Sequence, residues 1–233
     1  MDSGEIKAYN KDGNCLLLKG HEKAVHTLLV HQAILLSGSW DCTFKCWQHD
    51  DNTSTFNCVK TIDVGFNIKS MRILGNVLWV AGLGAVKLYD LSNLSEGPKI
   101  DLKGEVVLDL LEYSGFMIVV SMDRKVRVFN DKGESTYEGK TLSKNFSLIG
   151  MMITGDVPAL IIGQESRVGV YEVPDFEPKG EFLLLGKNQG LVRSLFDLNA
   201  GNMFVCGTSE GNISILRWKR DGESSPQQTA LDI

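Results

Sequence analysis

Short stretches in which apolar and polar residues alternate recur along the chain. Each ends in an aromatic residue, and the five aromatics stand 38, 42, 40 and 42 residues apart: Tyr9, Trp47, Tyr89, Phe129 and Tyr171. Alternation with a period of two is typical of β-strands that bury one face. A similar stretch, 212–218, lies near the end of the chain. The sequence therefore predicts a repeated β-unit of about 40 residues.

Each aromatic strand belongs to a larger group of strands. A strand that ends in small residues precedes most of them, as at 34–39 and 203–208, and another apolar stretch comes before that one. A fourth apolar stretch, such as 58–64, follows the aromatic strand. Turn residues rather than helical segments separate the four. This pattern predicts an all-β fold, a β-propeller in which each repeat forms one blade.

One repeat, residues 20–48, contains a complete set of polar residues at fixed spacing: His21 after a glycine, then Ser37, Ser39, Asp41 and Trp47. This run resembles a WD repeat. The resemblance implies that the histidine, one of the two serines, the aspartate and the tryptophan form a buried hydrogen-bonded chain. Such a chain would have a structural role, because a fully satisfied buried polar network fixes geometry.

The other repeats keep this motif only in part. Asp123 stands six residues before Phe129, as Asp41 does before Trp47, and is assigned to the same structural network. Leu83 occupies the position of the acid in the repeat that ends at Tyr89. Packing is therefore expected to hold the repeats at 64–103 and 142–185.

Three segments resemble a narrower group, the propeller half of the plant proteins that join CCCH zinc fingers to WD repeats. They are 171–182, 42–62 and 212–220, and the resemblance extends over roughly residues 3–220. The chain has no run with the cysteine and histidine spacing of a CCCH finger. The resemblance therefore implies neither a zinc site nor zinc-dependent contact with RNA in this chain.

Strand counting predicts about five and a half blades over residues 1–220. The chain begins on the third strand of a blade and has three strands in its last one. On a seven-bladed WD template, this count indicates truncation at the amino terminus. A tighter five- or six-bladed closure is the alternative. The polar, proline-containing segment 221–233 is expected to be a disordered tail.

Composition narrows the classes of function. The 233 residues carry a net charge of −5, which argues against direct nucleic-acid binding through a basic face. No apolar run reaches the ~18–20 residues of a membrane-spanning helix, and no signal peptide is visible. Five cysteines without a C-x-x-C pair indicate reduced thiols. We expect an intracellular protein of the nucleus or cytoplasm, with no membrane partner.

A metal site and an active site find no support in the sequence. The four histidines lie within 29 residues of one another, but at different levels of one predicted sheet. Cys42 and Cys46 would stand about 13 Å apart on a strand, too far for one zinc ion with ligands at ~2.3 Å. Nucleophile elbow, phosphate-loop and zincin motifs do not occur. No catalytic, metal or cofactor residues are assigned.

The remaining candidate is a loop surface for a protein or peptide partner. Loops expected at one end of the propeller carry residues typical of binding hot spots: Trp40, Phe66, Met122, Arg124 and Gln189. The main hypothesis is a non-catalytic interaction scaffold. Two alternatives are a nuclear RNA-associated adaptor and a substrate receptor of a cullin-based ubiquitin ligase. The second lacks the expected Trp-Asp-x-Arg, since 47–50 reads Trp-Gln-His-Asp.

Overall fold

The computed structural model describes residues 3–141, 146–154, 157–164, 167–184, 190–200, 203–218 and 228–231. Regular structure in these ranges consists of β-strands, as the alternation predicted. Internal contacts divide the chain into two compact units. The first unit is Met1–Ser121 with Val128–Thr136, and the second is Met122–Arg127 with Tyr137–Ile233.

The first two sheets lie in the first unit. β1 (Ile6–Tyr9) and β2 (Cys15–Leu18) form an antiparallel pair. An antiparallel four-stranded sheet follows in chain order: β3 (Val25–His31), β4 (Ile34–Ser39), β5 (Thr43–Asp50) and β6 (Thr55–Asp63). Its turns are short, and the burial of β3 alternates residue by residue, as expected for a strand with one covered face.

The third sheet comprises β7 to β12 in chain order: β7 (Ile68–Leu74), β8 (Val77–Asp90), β9 (Glu96–Tyr113), β10 (Phe116–Ser121), β11 (Lys125–Phe129) and β12 (Ser135–Thr141).

Two strands of this sheet, β8 and β9, are so long that their first and last parts pair with different neighbouring strands. β8 folds back on itself, because the Leu91 N–H donates to the Asn76 carbonyl at 2.9 Å and so joins its two ends. Its first half pairs with β7 and its second half with the first part of β9, whereas the last part of β9 pairs with β10. The sheet therefore contains two consecutive four-stranded repeats, in agreement with the predicted pattern.

The second unit contains two further four-stranded sheets. One comprises β13 (Phe146–Thr154), β14 (Val157–Gln164), β15 (Arg167–Glu172) and β16 (Glu177–Leu183). The other comprises β17 (Val192–Ala200), β18 (Met203–Thr208), β19 (Ile213–Arg217) and β20 (Gln228–Leu231). Apolar residues of both sheets, including Val170, Phe182 and Phe204, share one core cluster.

The last strand corrects the expectation that the last blade has three strands. Of the predicted disordered tail, 221–233, residues 221–227 and 232–233 lie outside the described residues. Gln228–Leu231 instead pairs antiparallel with Ile213–Leu216 of β19 as a fourth strand. The polar composition of the whole segment concealed a four-residue stretch that completes the hydrogen bonding of an otherwise open edge.

The core of the first unit lies between consecutive sheets. Trp47 packs with Ile6 and Leu18 between the first and second sheets. Phe44 packs with Tyr89 between the second and third, with ring centroids 5.2 Å apart. Large buried aromatic residues thus fix how the faces of consecutive sheets pack against each other.

Candidate functional site

The polar residues singled out at 20–48 form a continuous hydrogen-bonded chain. The Trp47 Nε1–H donates to Ser37 Oγ at 2.8 Å, Ser37 Oγ lies 2.7 Å from His21 Nε2, and His21 Nδ1 lies 2.8 Å from Asp41 Oδ2. An ionised carboxylate only accepts, so His21 Nδ1–H donates to it. In the neutral tautomer, Nε2 accepts from the Ser37 hydroxyl. Every donor and acceptor of this chain is then paired.

Strand register brings these residues together. Leu35 pairs with Trp47 across β4 and β5, and Ser37 lies two residues along β4 on the same face. His21 precedes β3, and Asp41 lies in the turn from β4 to β5. His21, Ser37 and Trp47 are all buried. The chain therefore ties the segment before the first strand to the second and third strands of one sheet.

Asp41 also organises the turn around it. It accepts from Thr43 N–H at 2.9 Å, from Thr43 Oγ1–H at 2.7 Å and from Glu22 N–H at 3.0 Å. Burial by itself would raise the pKa of Asp41. The hydrogen bonds from Thr43, Glu22 and His21 outweigh burial and lower this pKa to about 2. Thr43 was missed by the motif comparison, although a threonine two residues after an aspartate is a common turn pattern.

The two serines of the motif have separate partners. Ser37 joins His21 to Trp47. Ser39 Oγ donates to the Lys23 carbonyl at 3.0 Å and accepts from Asp41 N–H at 3.1 Å. The sequence left the hydroxyl of the chain open between these two, and the geometry places Ser37 there. Ser39 instead supports the turn.

Asp123 lies in a similar turn but binds a different side chain. Its Oδ1 accepts from Lys125 N–H at 3.1 Å, as Asp41 Oδ1 accepts from Thr43 N–H. The guanidinium of Arg127 donates to both carboxylate oxygens, at 3.2 and 2.5 Å. Sequence reasoning missed this arginine. Its position on β11 could have indicated it, because Arg127 lies two residues from the buried Phe129 and therefore on the same face of the strand.

A second buried polar cluster was also missed by sequence reasoning. Ser70 Oγ donates to Asp109 Oδ1 at 2.8 Å, and the Leu110 N–H donates to the same oxygen at 2.8 Å. A guanidinium nitrogen of Arg72 lies 3.8 Å from that oxygen. Burial raises the pKa of Asp109, and the Arg72 charge and the Ser70 hydrogen bond oppose the rise. No spacing rule connects residues 39 apart on neighbouring repeats.

The residues predicted for a partner surface differ in exposure. In the first unit, Trp40 is 43% exposed and stacks on His26 with ring centroids 4.4 Å apart. Phe66 is half-buried and packs against the core between the second and third sheets. In the second unit, Met122 is exposed and Arg124 has a φ of +65°. Gln189 lies outside the described residues.

The same ranges also bear on metal binding, thiol chemistry and membrane insertion. Among the described residues, histidine, cysteine, aspartate and glutamate side chains do not gather in threes at metal-binding distance. All five cysteines are free thiols. The described part of the chain contains no helix that is long and apolar enough to cross a membrane.

Comparison with known proteins agrees with the fold built above. Residues 12–48 match the family described as WD domain, G-beta repeat, and this range contains the whole hydrogen-bonded chain. The chain is also similar to the crystal structure of the WD40 beta propeller domain of Doa1. The two are 17% identical with a TM-score of 0.67, over 86% of this chain and 67% of that chain. The predicted fold class, an all-β WD40 propeller, is confirmed.

Proposed function

We propose that this protein is a non-catalytic interaction scaffold that binds a protein or peptide through the turns between second and third strands. WD40 propeller domains generally act as protein-interaction scaffolds, which supports the class of function. The observation that carries the proposal is the large exposed side chain of Trp40 on a turn whose backbone is fixed on both sides.

The hydrogen bonds around Trp40 support its proposed role as a preorganised anchor. Its backbone N–H donates to the Ala24 carbonyl at 3.0 Å, and the next residue, Asp41, is held by Thr43 and Glu22. The indole itself is stacked on His26. A partner would therefore gain aromatic contact area without the entropic cost of ordering the loop.

The corresponding turn of the second unit offers a different chemistry. Met122 and Arg124 flank Asp123, whose carboxylate is bound by Arg127 and by a backbone N–H. Met122 is exposed. A flexible thioether and a guanidinium are both frequent in binding surfaces. Phe66 is omitted from the proposed contacts because it contributes to packing.

The test uses the full chain as bait for native partners. Trp40→Ser should reduce the recovered partner at least about tenfold, as expected for the loss of a binding hot spot, and Trp40→Phe should restore part of it. Met122→Ser with Arg124→Glu forms an independent second variant. Val59→Ser, at an exposed position of β6, is the matched control and should bind as the parent does.

Thermal unfolding decides how these results are interpreted. The melting temperatures of the variants should stay within a few degrees of the parent. Full recovery of partners by both loop variants would contradict the proposal. A large loss of stability in Trp40→Ser would show instead that the indole and His26 are needed for packing.

The same proposal includes an intracellular setting and no direct contact with nucleic acid. The free thiols and the net charge of −5 support these two points. Kinship with CCCH zinc finger/WD-repeat proteins also stays a proposal. Salt-dependent binding of a random-sequence RNA to the purified chain would contradict the nucleic-acid prediction.

A further inference from the structure

Leu83 is an exposed apolar residue at the acid position of its repeat. It is 54% exposed, although loops close its turn on both sides. The Phe66 ring packs against Gly82, where an added Cβ would lie 2.8 Å from it. On the other side, an added Cβ on Gly84 would lie 3.4 Å from the Cα of Gly104. Leu83 is therefore exposed between neighbouring repeats of the same unit and not along a free strand edge.

The loop before β7 connects the turn of Leu83 to the turn of Trp40. The Cys42 thiol, two residues from Trp40, lies 3.4 Å from Asn67 Oδ1. The Asn67 carbonyl lies so close to Gly82 that a Cβ there would find no space. The exposed side chains of Leu83 and Trp40 therefore belong to adjoining turns at one end of the first unit.

Carboxylates recur at equivalent positions beside these turns. Asp63 and Asp101 each pair with the residue two places beyond the acid position of their repeat. Each also accepts the N–H of the residue two places on: Gly65 donates to Asp63 at 2.8 Å, and Lys103 donates to Asp101 at 2.8 Å. Both aspartates are exposed. The turns thus fix the two carboxylates without removing them from solvent.

The loops at this end carry more negative than positive charge. They comprise 20–24, 39–43, 63–67, 82–84 and 101–106. Their acidic residues are Glu22, Asp41, Asp63, Asp101 and Glu105, and their basic residues are Lys23 and Lys103. Such a surface attracts cationic groups and repels phosphates. Its charge therefore favours a basic peptide as the partner.

We propose that this end of the first unit binds a peptide segment that combines lysine or arginine residues with a large apolar residue. The inference rests on the proposed function, because it names the chemistry of the partner that the turns would bind. The apolar residue would contact Leu83 and Trp40, and the basic residues would lie beside Asp63 and Asp101. Apolar contact would supply the buried area, and charge would select the partner.

The probe is a pair of synthetic peptide pools that share the same apolar positions. The remaining positions hold lysine or arginine in one pool and aspartate or glutamate in the other. The full chain should bind the basic pool saturably and at least about tenfold more tightly than the acidic pool. Binding of the basic pool should weaken as the ionic strength rises, because salt screens exposed charges.

Two variants separate the apolar from the charged contribution. Leu83→Ser should weaken binding of the basic pool at least about tenfold, as expected for the loss of a binding hot spot. Asp63→Asn together with Asp101→Asn should weaken it about fivefold, since each change removes one exposed ion pair. Asparagine still accepts the same backbone N–H, so both turns are kept.

The matched control is Asp50→Asn together with Asp90→Asn. These aspartates also accept the N–H of the residue two places on, from Asn52 at 2.9 Å and from Ser92 at 2.8 Å. They lie at the opposite ends of the same strand pairs, β5 with β6 and β8 with β9. The control removes the same net charge from the chain and should bind the basic pool as the parent does.

Three results would overturn the inference: equal binding of the two pools, equal weakening by the two aspartate pairs, and unchanged binding by Leu83→Ser. Melting temperatures within a few degrees of the parent show that the variants are folded. If Trp40→Ser loses native partners while the two pools bind equally, the scaffold proposal stands and this inference alone fails. If both loop variants keep their native partners, the proposed function itself fails.

Discussion

Two consecutive repeats of the first unit solve the same packing problem differently. In the repeat of β3–β6, Ser37 stands ten residues before Trp47 and joins it to His21 and Asp41. In the next repeat, Val80 holds the register position of Ser37 and packs in the same cluster as Tyr89, while Trp79 lies on the opposite face of the sheet. Trp79 is fully buried, and its ring lies 6.1 Å from that of Phe129.

The second solution leaves a polar atom without a partner. Among the described side chains, Trp79 Nε1 is buried with no hydrogen bond. Such an atom costs about 1–3 kcal/mol, and the burial of a large aromatic residue offsets that cost. The comparison teaches that contact area supplies stability in either repeat, whereas the hydrogen-bonded chain fixes which atoms meet.

The largest effect is expected at Trp79. Trp79→Ala should lower the free energy of unfolding by about 3–5 kcal/mol, because it leaves a cavity among Val86, Leu110 and Phe129. Urea denaturation followed by circular dichroism measures the loss. Trp79→Phe is the control: it removes the unpaired N–H and should cost less than half as much. Equal losses in the two variants would show that the indole N–H has a partner.

An intermediate and pH-dependent effect is expected at Asp41. Asp41→Ala should cost about 2–3 kcal/mol at neutral pH, because donors of His21, Thr43 and Glu22 lose their acceptor. The folded-state pKa of about 2 lies below the ordinary value of 3.8. The carboxylate therefore contributes stability above pH 4, and this contribution, about 2 kcal/mol, is lost as the pH falls through 2.

The measurement is the difference in unfolding free energy between parent and Asp41→Ala at several pH values. That difference should shrink between pH 4 and pH 2. A difference that stays constant over this interval would contradict the assigned pKa. Glu210→Ala, at the corresponding place in the last repeat, is the comparison variant and should cost less, since Glu210 is exposed.

The smallest effect is expected in the turn residues that follow the acid position. Cys42 has a φ of +71°, and Gly84, at the same place in the next repeat, has a φ of +80°. Cys42→Gly should therefore stabilise the protein by about 1 kcal/mol, and Gly84→Ala should destabilise it by a similar amount. Cys42→Ala controls for the thiol, which lies 3.4 Å from Asn67 Oδ1. Thermal melts that show stabilisation by both cysteine variants would attribute the gain to loss of the thiol.

The fold could be predicted because its signal is periodic, and the hydrogen-bonded chain because residues 20–48 resemble a WD repeat. The aromatic spacing marked the third strands, and the resemblance implied the roles of His21, Asp41 and Trp47. Identifying Ser37 rather than Ser39 required the register of β4, since both serines share a face and lie two residues apart. Alternation alone does not choose between them.

Contacts in the repeats that lack the full motif could not be predicted in the same way. Asp123 keeps the spacing of Asp41, but Val119 occupies the place of Ser37 and provides no hydroxyl. Arg127 binds the carboxylate instead. The strand Gln228–Leu231 was missed because its pairing depends on the open edge of β19 and not on its own composition.

The bond between Ser70 and Asp109 has a consequence for how the first unit unfolds. Ser70 lies on the first strand of one repeat and Asp109 on the first strand of the next. In a linear array of repeats, stability is the sum of intrinsic terms and nearest-neighbour coupling terms. The Ser70–Asp109 bond adds only to the coupling between the two repeats, because neither repeat can open without breaking it. We therefore expect the two repeats to behave as one cooperative unit in hydrogen exchange, with their amides opening together.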